Sequence, residues 1–208
     1  PSAGAIERQA VLEVAVGERL QMVGGNIFVT GDAAGQRANL IARDGLIELG
    51  GLSSIGQVEF SDDGRLRFSE DSDLADVVLS SARLAVNSMG SGGINVTADN
   101  LSLSESRIVA GYADGQSATQ DQAGSIVLDV SGDFSSNGSL ISNSLPASSS
   151  GMVGNISVDV GGELLLENTE IVSLLDGIGE NGNTDISVVG DATVRGSVIR
   201  NNVGQTGM

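Results

Sequence analysis

Apolar residues in this chain come in short alternating runs, each closed by Gly, Asp, Asn or Ser. Gly93-Ile94-Asn95-Val96-Thr97-Ala98 is followed by Leu101-Ser102-Leu103 and then by Arg107-Ile108-Val109-Ala110. Gly124-Ser125-Ile126-Val127-Leu128-Asp129-Val130 leads to Asp133-Phe134 and Leu140-Ile141-Ser142-Asn143. Gly154-Asn155-Ile156-Ser157-Val158-Asp159-Val160 leads to Glu163-Leu164-Leu165-Leu166 and Glu170-Ile171-Val172-Ser173. Thr184-Asp185-Ile186-Ser187-Val188 leads to Ala192-Thr193-Val194 and Val198-Ile199-Arg200-Asn201. The leading isoleucines 94, 126, 156 and 186 stand 32, 30 and 30 residues apart. Period-two alternation is the mark of a half-buried strand, and no stretch keeps the helical spacing. Three short strands per unit of about 30 residues predict a parallel β-helix.

In such a fold Ile94 and Val96, Ile126 and Leu128, Ile156 and Val158, and Ile186 and Val188 share one face. One unit cannot bury that face alone. Stacked coils bury it as a continuous aliphatic column and pair each inner strand with the next. The segments Gly111 to Ala123, Ser144 to Val153 and Leu175 to Asn183 all follow the third strand of their unit. They are predicted to be loops protruding from one side. The plain reading is tolerated surface insertions; the functional one is a shared binding face.

The N-terminal part is less regular. Strands are predicted at Val11–Val16, Leu20–Val23, Asn26–Thr30, Leu40–Ala42, Leu46–Leu49 and Gln57–Phe60, then at Leu66–Phe68, Val77–Leu79 and Leu84–Val86. Ser61 to Asp76 is a loop or a small excursion. The chain therefore reads as one all-β solenoid domain, 1–208, with degenerate early coils in 1–90 and regular repeats in 91–208.

Composition narrows the chemistry. The chain has 208 residues, 40% of them hydrophobic and 2% aromatic, so its core must be aliphatic. With no Cys and no His there is no disulfide, thiolate nucleophile or imidazole base. All ten basic residues are Arg, which removes lysine-based phosphate loops and Schiff bases. A net charge of −17 argues against sequence-independent nucleic-acid binding. No apolar run is long enough to span a membrane as a helix, and Pro1-Ser2-Ala3-Gly4 shows no basic signal-peptide region.

Gly24-Gly25-Asn26-Ile27-Phe28-Val29, then Asp44-Gly45-Leu46-Ile47-Glu48-Leu49-Gly50-Gly51-Leu52, then the Gly-x-Ile-x-Val units resemble filamentous haemagglutinin-like exoproteins of two-partner secretion, in their cyanobacterial style. The resemblance covers roughly Val11 to Asn202. It implies a right-handed parallel β-helix in a secreted or cell-surface, outer-membrane-associated protein, with an outer-membrane transporter as partner. It also implies adhesion through a surface glycan or protein receptor, and no catalytic residues. The family's secretion domain carries Asn-Pro motifs, whereas neither Pro1 nor Pro146 follows an Asn. The chain is therefore expected to be an internal segment.

Asp129 and Asp159 occupy equivalent positions one repeat apart, with Val189 expected next in that column. In register their carboxylates would sit outward on adjacent strands. The plain reading is a solvated surface pair. The alternatives are a weak Ca²⁺ site, the one cofactor these residues could take, or an acid/base pair acting on polysaccharide. Asp62, Asp63, Glu70, Asp71, Asp73 and Asp76 lack calcium-loop spacing and read as a solvated loop, which Arg65, Arg67 and Arg83 are expected to offset. Ser139, Ser142, Thr169 and Ser173 recur near the third strand with no base to activate them. Asn143 and Asn201 are expected in an amide ladder. Tyr112, Asp114, Asp121, Asp176 and Glu180 lie in the predicted loops and are the candidate contact residues. The expected role is non-enzymatic and adhesin-like; the alternatives are a polysaccharide-acting enzyme and a purely structural stalk.

Overall fold

The computed structural model describes residues 6–8, 11–32, 34–69, 71–86 and 92–204. None of them is helical. The chain winds as a parallel β-solenoid of about six turns. The first face comprises Arg19–Gly24, Leu46–Gly51, Gly93–Ala98, Ser125–Val130, Ile156–Val160 and Thr184–Val188. The second comprises Ile6–Arg8, Ile27–Thr30, Val77–Ser80, Leu101–Ser104, Phe134–Asn137, Leu164–Glu167 and Ala192–Arg195. The third comprises Val11–Glu13, Ala38–Ile41, Ala82–Ala85, Arg107–Gly111, Leu140–Leu145, Glu170–Leu175 and Val198–Val203.

The columns follow from the alternation. Leu20, Ile47, Ile94, Ile126 and Ile156 stack in register on the first face. Leu12, Leu40, Leu84, Ile108, Ile141, Ile171 and Ile199 stack on the third. Except for Ile199 in the last coil, which is exposed, and Leu12, which is partly buried against it, these side chains belong to one continuous core that also takes in fully buried Phe134. Branched aliphatics fill the narrow axis because each rests on its like, about 4.8 Å away in the next coil.

The last coil corrects the predicted spacing. Thr184, not Ile186, lies opposite Ile156, and Ile186 lies opposite Val158. That coil is two residues shorter than expected. A slip of two keeps every side chain on its own face, so the alternation alone could not reveal it. The early coils keep all three faces too. Their irregularity is one insertion, an antiparallel hairpin of Val58–Phe60 with Leu66–Phe68. It packs outside the first face, where Phe68 lies against Gly50.

Two corners are held by repeating polar devices. Between the second and third faces Ser81, Glu105, Gly138, Asn168 and Gly196 all take positive φ, from 47° to 61°. A left-handed residue at this turn is costly for side chains other than Gly. From the second of these turns on, a hydroxyl follows it, that of Ser106, Ser139, Thr169 or Ser197, the first three buried. The Ser106 hydroxyl shares its one proton between the Leu79 and Ser104 carbonyls and accepts from the Ala82 N–H. The Ser106 N–H in turn donates to Ser139 Oγ at 3.0 Å, and the Thr169 N–H to Ser197 Oγ at 2.9 Å. Between the first and second faces the Asn26, Asp76, Asn100 and Asp133 side chains each accept an N–H from the next coil. Turn groups that would lack partners inside the solenoid are thereby satisfied.

Candidate functional site

The segments between the third and first faces are built, not merely inserted. Ser117–Gln122, Ser150–Met152 and Ile178–Glu180 form a fourth, three-stranded parallel ladder. Beneath it lies a second core of Tyr112, Ala123, Leu145, Val153 and Leu175. Leu145 pairs with Leu175, and the Tyr112 N–H donates to the Ser144 carbonyl at 2.9 Å, which places the ring over the same column. Tyr112 is only 5% exposed. The expectation that it is a contact residue is thus corrected: the lone tyrosine anchors the corner from inside. Gly111, with φ of 110°, lets the chain leave the third face, because a Cβ there would strike the Ser144 backbone.

Of the other candidates on this corner, Asp114 is exposed, and its carboxylate accepts a hydrogen bond from the Ser148 hydroxyl of the next coil. Asp176 is half-buried and its N–H donates to the Leu145 carbonyl. Glu180 is exposed at the end of the ladder, beside Ile178, which is 73% exposed. Asp121 lies in the first ladder strand, and its side chain is outside the described residues.

Asp129 and Asp159 come together as expected: they are register partners in adjacent strands, both exposed on the first face. Burial chiefly, and the neighbouring Asp159 second, raise the Asp129 carboxyl above the ordinary aspartate value. Asp159 accepts a 3.2 Å hydrogen bond from the Ser157 hydroxyl. Ser187, not Val189, follows Asp159 in the column, and Thr97 precedes Asp129. Among the described residues no third acidic group joins the pair.

The acidic stretch disperses. The Asp63 carboxyl, lowered first by the Ser61 hydroxyl it accepts and also by Arg65, closes the hairpin tip with a 3.0 Å ion pair to Arg65. Asp73 accepts from Ser54, and Asp76 belongs to the corner device above. Glu70 lies outside the described residues. Arg67 stands opposite Glu59 in the hairpin, but Arg83 faces Arg107 on the third face, so it does not offset this stretch. The tip of the hairpin and the Asp44-Gly45 turn enclose a cleft of about 310 Å³, lined by Arg19, Asp44, Asp63 and Arg65.

The remaining polar positions have structural partners. Ser139, Thr169 and Ser173 are buried, and the first two serve the hydroxyl corner. Asn143 and Asn201 are not adjacent, because Ser173 stands between them in the column. Each instead donates its amide to the carbonyl of the glycine that opens a first-face strand, Gly124 or Gly182. Glu48 was not singled out. It is 2% exposed beneath the hairpin and accepts from Gln21 Nε2 at 2.6 Å, Asn95 Nδ2 at 3.2 Å and the Leu66 N–H at 3.2 Å. Its outward parity on the first face gave no sign that a hairpin would cover it.

The chain matches no protein-family model, no curated protein and no solved structure. The class defined by the fold is a parallel β-solenoid with a side ladder on one corner.

Proposed function

We propose that this chain is a non-enzymatic display segment of a secreted or cell-surface exoprotein, of the filamentous haemagglutinin-like kind exported by two-partner secretion. The observation carrying this reading is the fourth ladder. Three successive coils set exposed residues on the same corner, over a core of their own. Coil stacking keeps Asp114, Ile178 and Glu180 on a rigid support, and pre-organised side chains lose little entropy on binding. An outer-membrane transporter partner and an adhesive role complete the proposal and rest on the sequence resemblance.

The test is adhesion of beads coated with the purified chain to bacterial or host cells. Wild-type beads are expected to bind, and the triple variant Ile178→Ser, Glu180→Gln, Asp114→Asn to bind several-fold less. Absence of adhesion by wild type, or equal adhesion by the variant, defeats the reading.

A second reading has its own observation. A carboxyl raised beside a second carboxylate is the arrangement used for acid/base work on glycosides, and Asp129 beside Asp159 is such a pair. Turnover of a polysaccharide that disappears in Asp129→Asn would establish it. No product from any acidic or neutral glycan would dismiss it.

A further inference from the structure

We infer that the third face carries a binding site for an acidic glycan, centred on Arg83 and Arg107 with Arg37 at its edge. This rests on the reading of the chain as a surface module and adds to the corner a second face, with the class of ligand it takes. Arg83 and Arg107 are register partners in adjacent parallel strands. Both point outward, since Ala82, Leu84, Ser106 and Ile108 on either side are buried. Among the described residues neither guanidinium has a carboxylate partner, whereas Arg43, Arg65, Arg195 and Arg200 all do. Arg37 reaches past the Ser81 turn to donate to the Glu105 carbonyl, two residues before Arg107. In a chain of net charge −17, three guanidiniums thus gather on one face, none of them in an ion pair among the described residues. Like charges directly opposite in a sheet are destabilising, so the arrangement lowers stability unless an anion completes it.

The spacing and surroundings select the anion. Adjacent coils are about 4.8 Å apart, close to the length of one pyranose unit. A chain of uronic acids lying along the solenoid axis would therefore offer one carboxylate to each arginine, in the paired geometry guanidinium favours. Alternate side chains of an extended peptide are nearer 7 Å apart and miss that step. A duplex carries a charge every ~1.7 Å and would be repelled by the rest of this acidic molecule. Half-buried Leu140 continues the arginine column in the next coil, half-buried Val109 lies in the outward column beside it, and together they give the apolar faces of sugar rings a surface to lie on.

The experiment is calorimetric titration of the purified full chain with an oligogalacturonate, and in a second arm with a sulfated oligosaccharide. Binding at low salt is expected to weaken as salt rises. In Arg83→Gln/Arg107→Gln it should weaken about tenfold or more, and it should be unchanged in Arg195→Gln. The two arms separate a carboxylated from a sulfated source. The double variant removes a like-charge pair and should keep the wild-type circular dichroism; should it not fold, Arg107→Gln alone and the salt titration carry the same test. No binding in either arm, unchanged binding in the arginine variants, or stronger binding of poly-glutamate or oligothymidylate overturns the inference. Because no cells are involved, loss of glycan binding with intact corner-dependent adhesion sinks this site alone. The converse sinks only the display reading.

Discussion

Asp129 stands directly opposite Asp159, one coil away, and its carboxyl is raised by burial first and by that neighbour second. The folded chain thus holds this proton to higher pH than the unfolded chain does. Where the folded state binds more protons, stability falls as pH rises. The penalty is absent below the ordinary aspartate range, sets in as pH climbs toward the raised value, and is fully present above it.

Asp129→Asn is therefore expected to stabilise the protein at neutral pH. Because the site is solvent-screened, the gain should be a few tenths of a kcal/mol, at the low end for opposed like charges. The difference between variant and wild type should vanish on acidification and shrink in high salt. Urea melts of both proteins at two pH values check this. A variant less stable than wild type at neutral pH would show that the carboxylate has a stabilising partner, such as a bound cation.

Ile126 lies between Ile94 and Ile156 and is fully buried, whereas Ile199 in the last coil is 46% exposed. Ile126→Ala should cost ~2–5 kcal/mol, because its neighbours belong to coils pinned from both sides and cannot collapse into the void. Ile199→Ala should cost well under half as much. Urea midpoints for the two variants decide it; equal losses would mean that the end of the solenoid is packed as tightly as its middle.

The columns were legible in the sequence because Ile94, Ile126 and Ile156 repeat the same local pattern at nearly the same step. What stayed hidden had three causes. The two-residue shortfall of the last coil leaves Ile186 and Val188 on their expected face, so parity could not expose it. The strand Ser117–Gln122 has Ala118 as its only apolar residue and reads as a loop until its neighbours Ser150–Met152 and Ile178–Glu180 complete the ladder. Arg83 and Arg107 are only 24 residues apart, outside the step of about 30 that organised the repeat, so their opposition appears only in the register. Among the candidate residues, the Asp129–Asp159 contact was foreseeable from equal positions in two units. The burial of Tyr112 was not, since one aromatic carries no periodicity.

Ser106 satisfies the Ala82 N–H and two carbonyls at a buried corner. Ser106→Ala should cost ~1–3 kcal/mol, the penalty of stranding a buried donor. Ser106→Thr should be nearly neutral, because Thr169 fills the same place two coils on and its hydroxyl donates to the Glu167 carbonyl. Chemical denaturation of the pair separates hydrogen bonding from bulk. A threonine variant as unstable as the alanine one would contradict the ladder.

Glu48 ties the hairpin to the first face through the Leu66 N–H, while Gln21, which it also holds, reaches the Gly64 carbonyl. Glu48→Ala removes the acceptor shared by three donors. The solenoid beneath is continuous without the hairpin, so the expected effect is local opening. Trypsin should then cut at Arg65 and Arg67 several-fold faster, with cleavage at Arg83 and Arg107 unchanged. Mass spectrometry of the first fragments reads this directly. Uniform acceleration at all arginines would mean that Glu48 supports the whole coil and not the hairpin alone.

Tyr112 is the only tyrosine and the chain has no tryptophan, so ultraviolet emission reports the corner ladder alone. Its ring shares a small core with Leu145, which is fully buried and pairs with Leu175. That core touches the main axis only along one corner, and in solenoids each coil is stabilised chiefly by its neighbours. Leu145→Ala should therefore loosen the corner before the axis. In a urea titration its tyrosine emission should change at lower denaturant than its far-ultraviolet circular dichroism, which follows the three long faces. In wild type the two transitions should lie closer together. If they coincide in the variant, the corner and the axis unfold as one body, and the ladder has no stability of its own to lose.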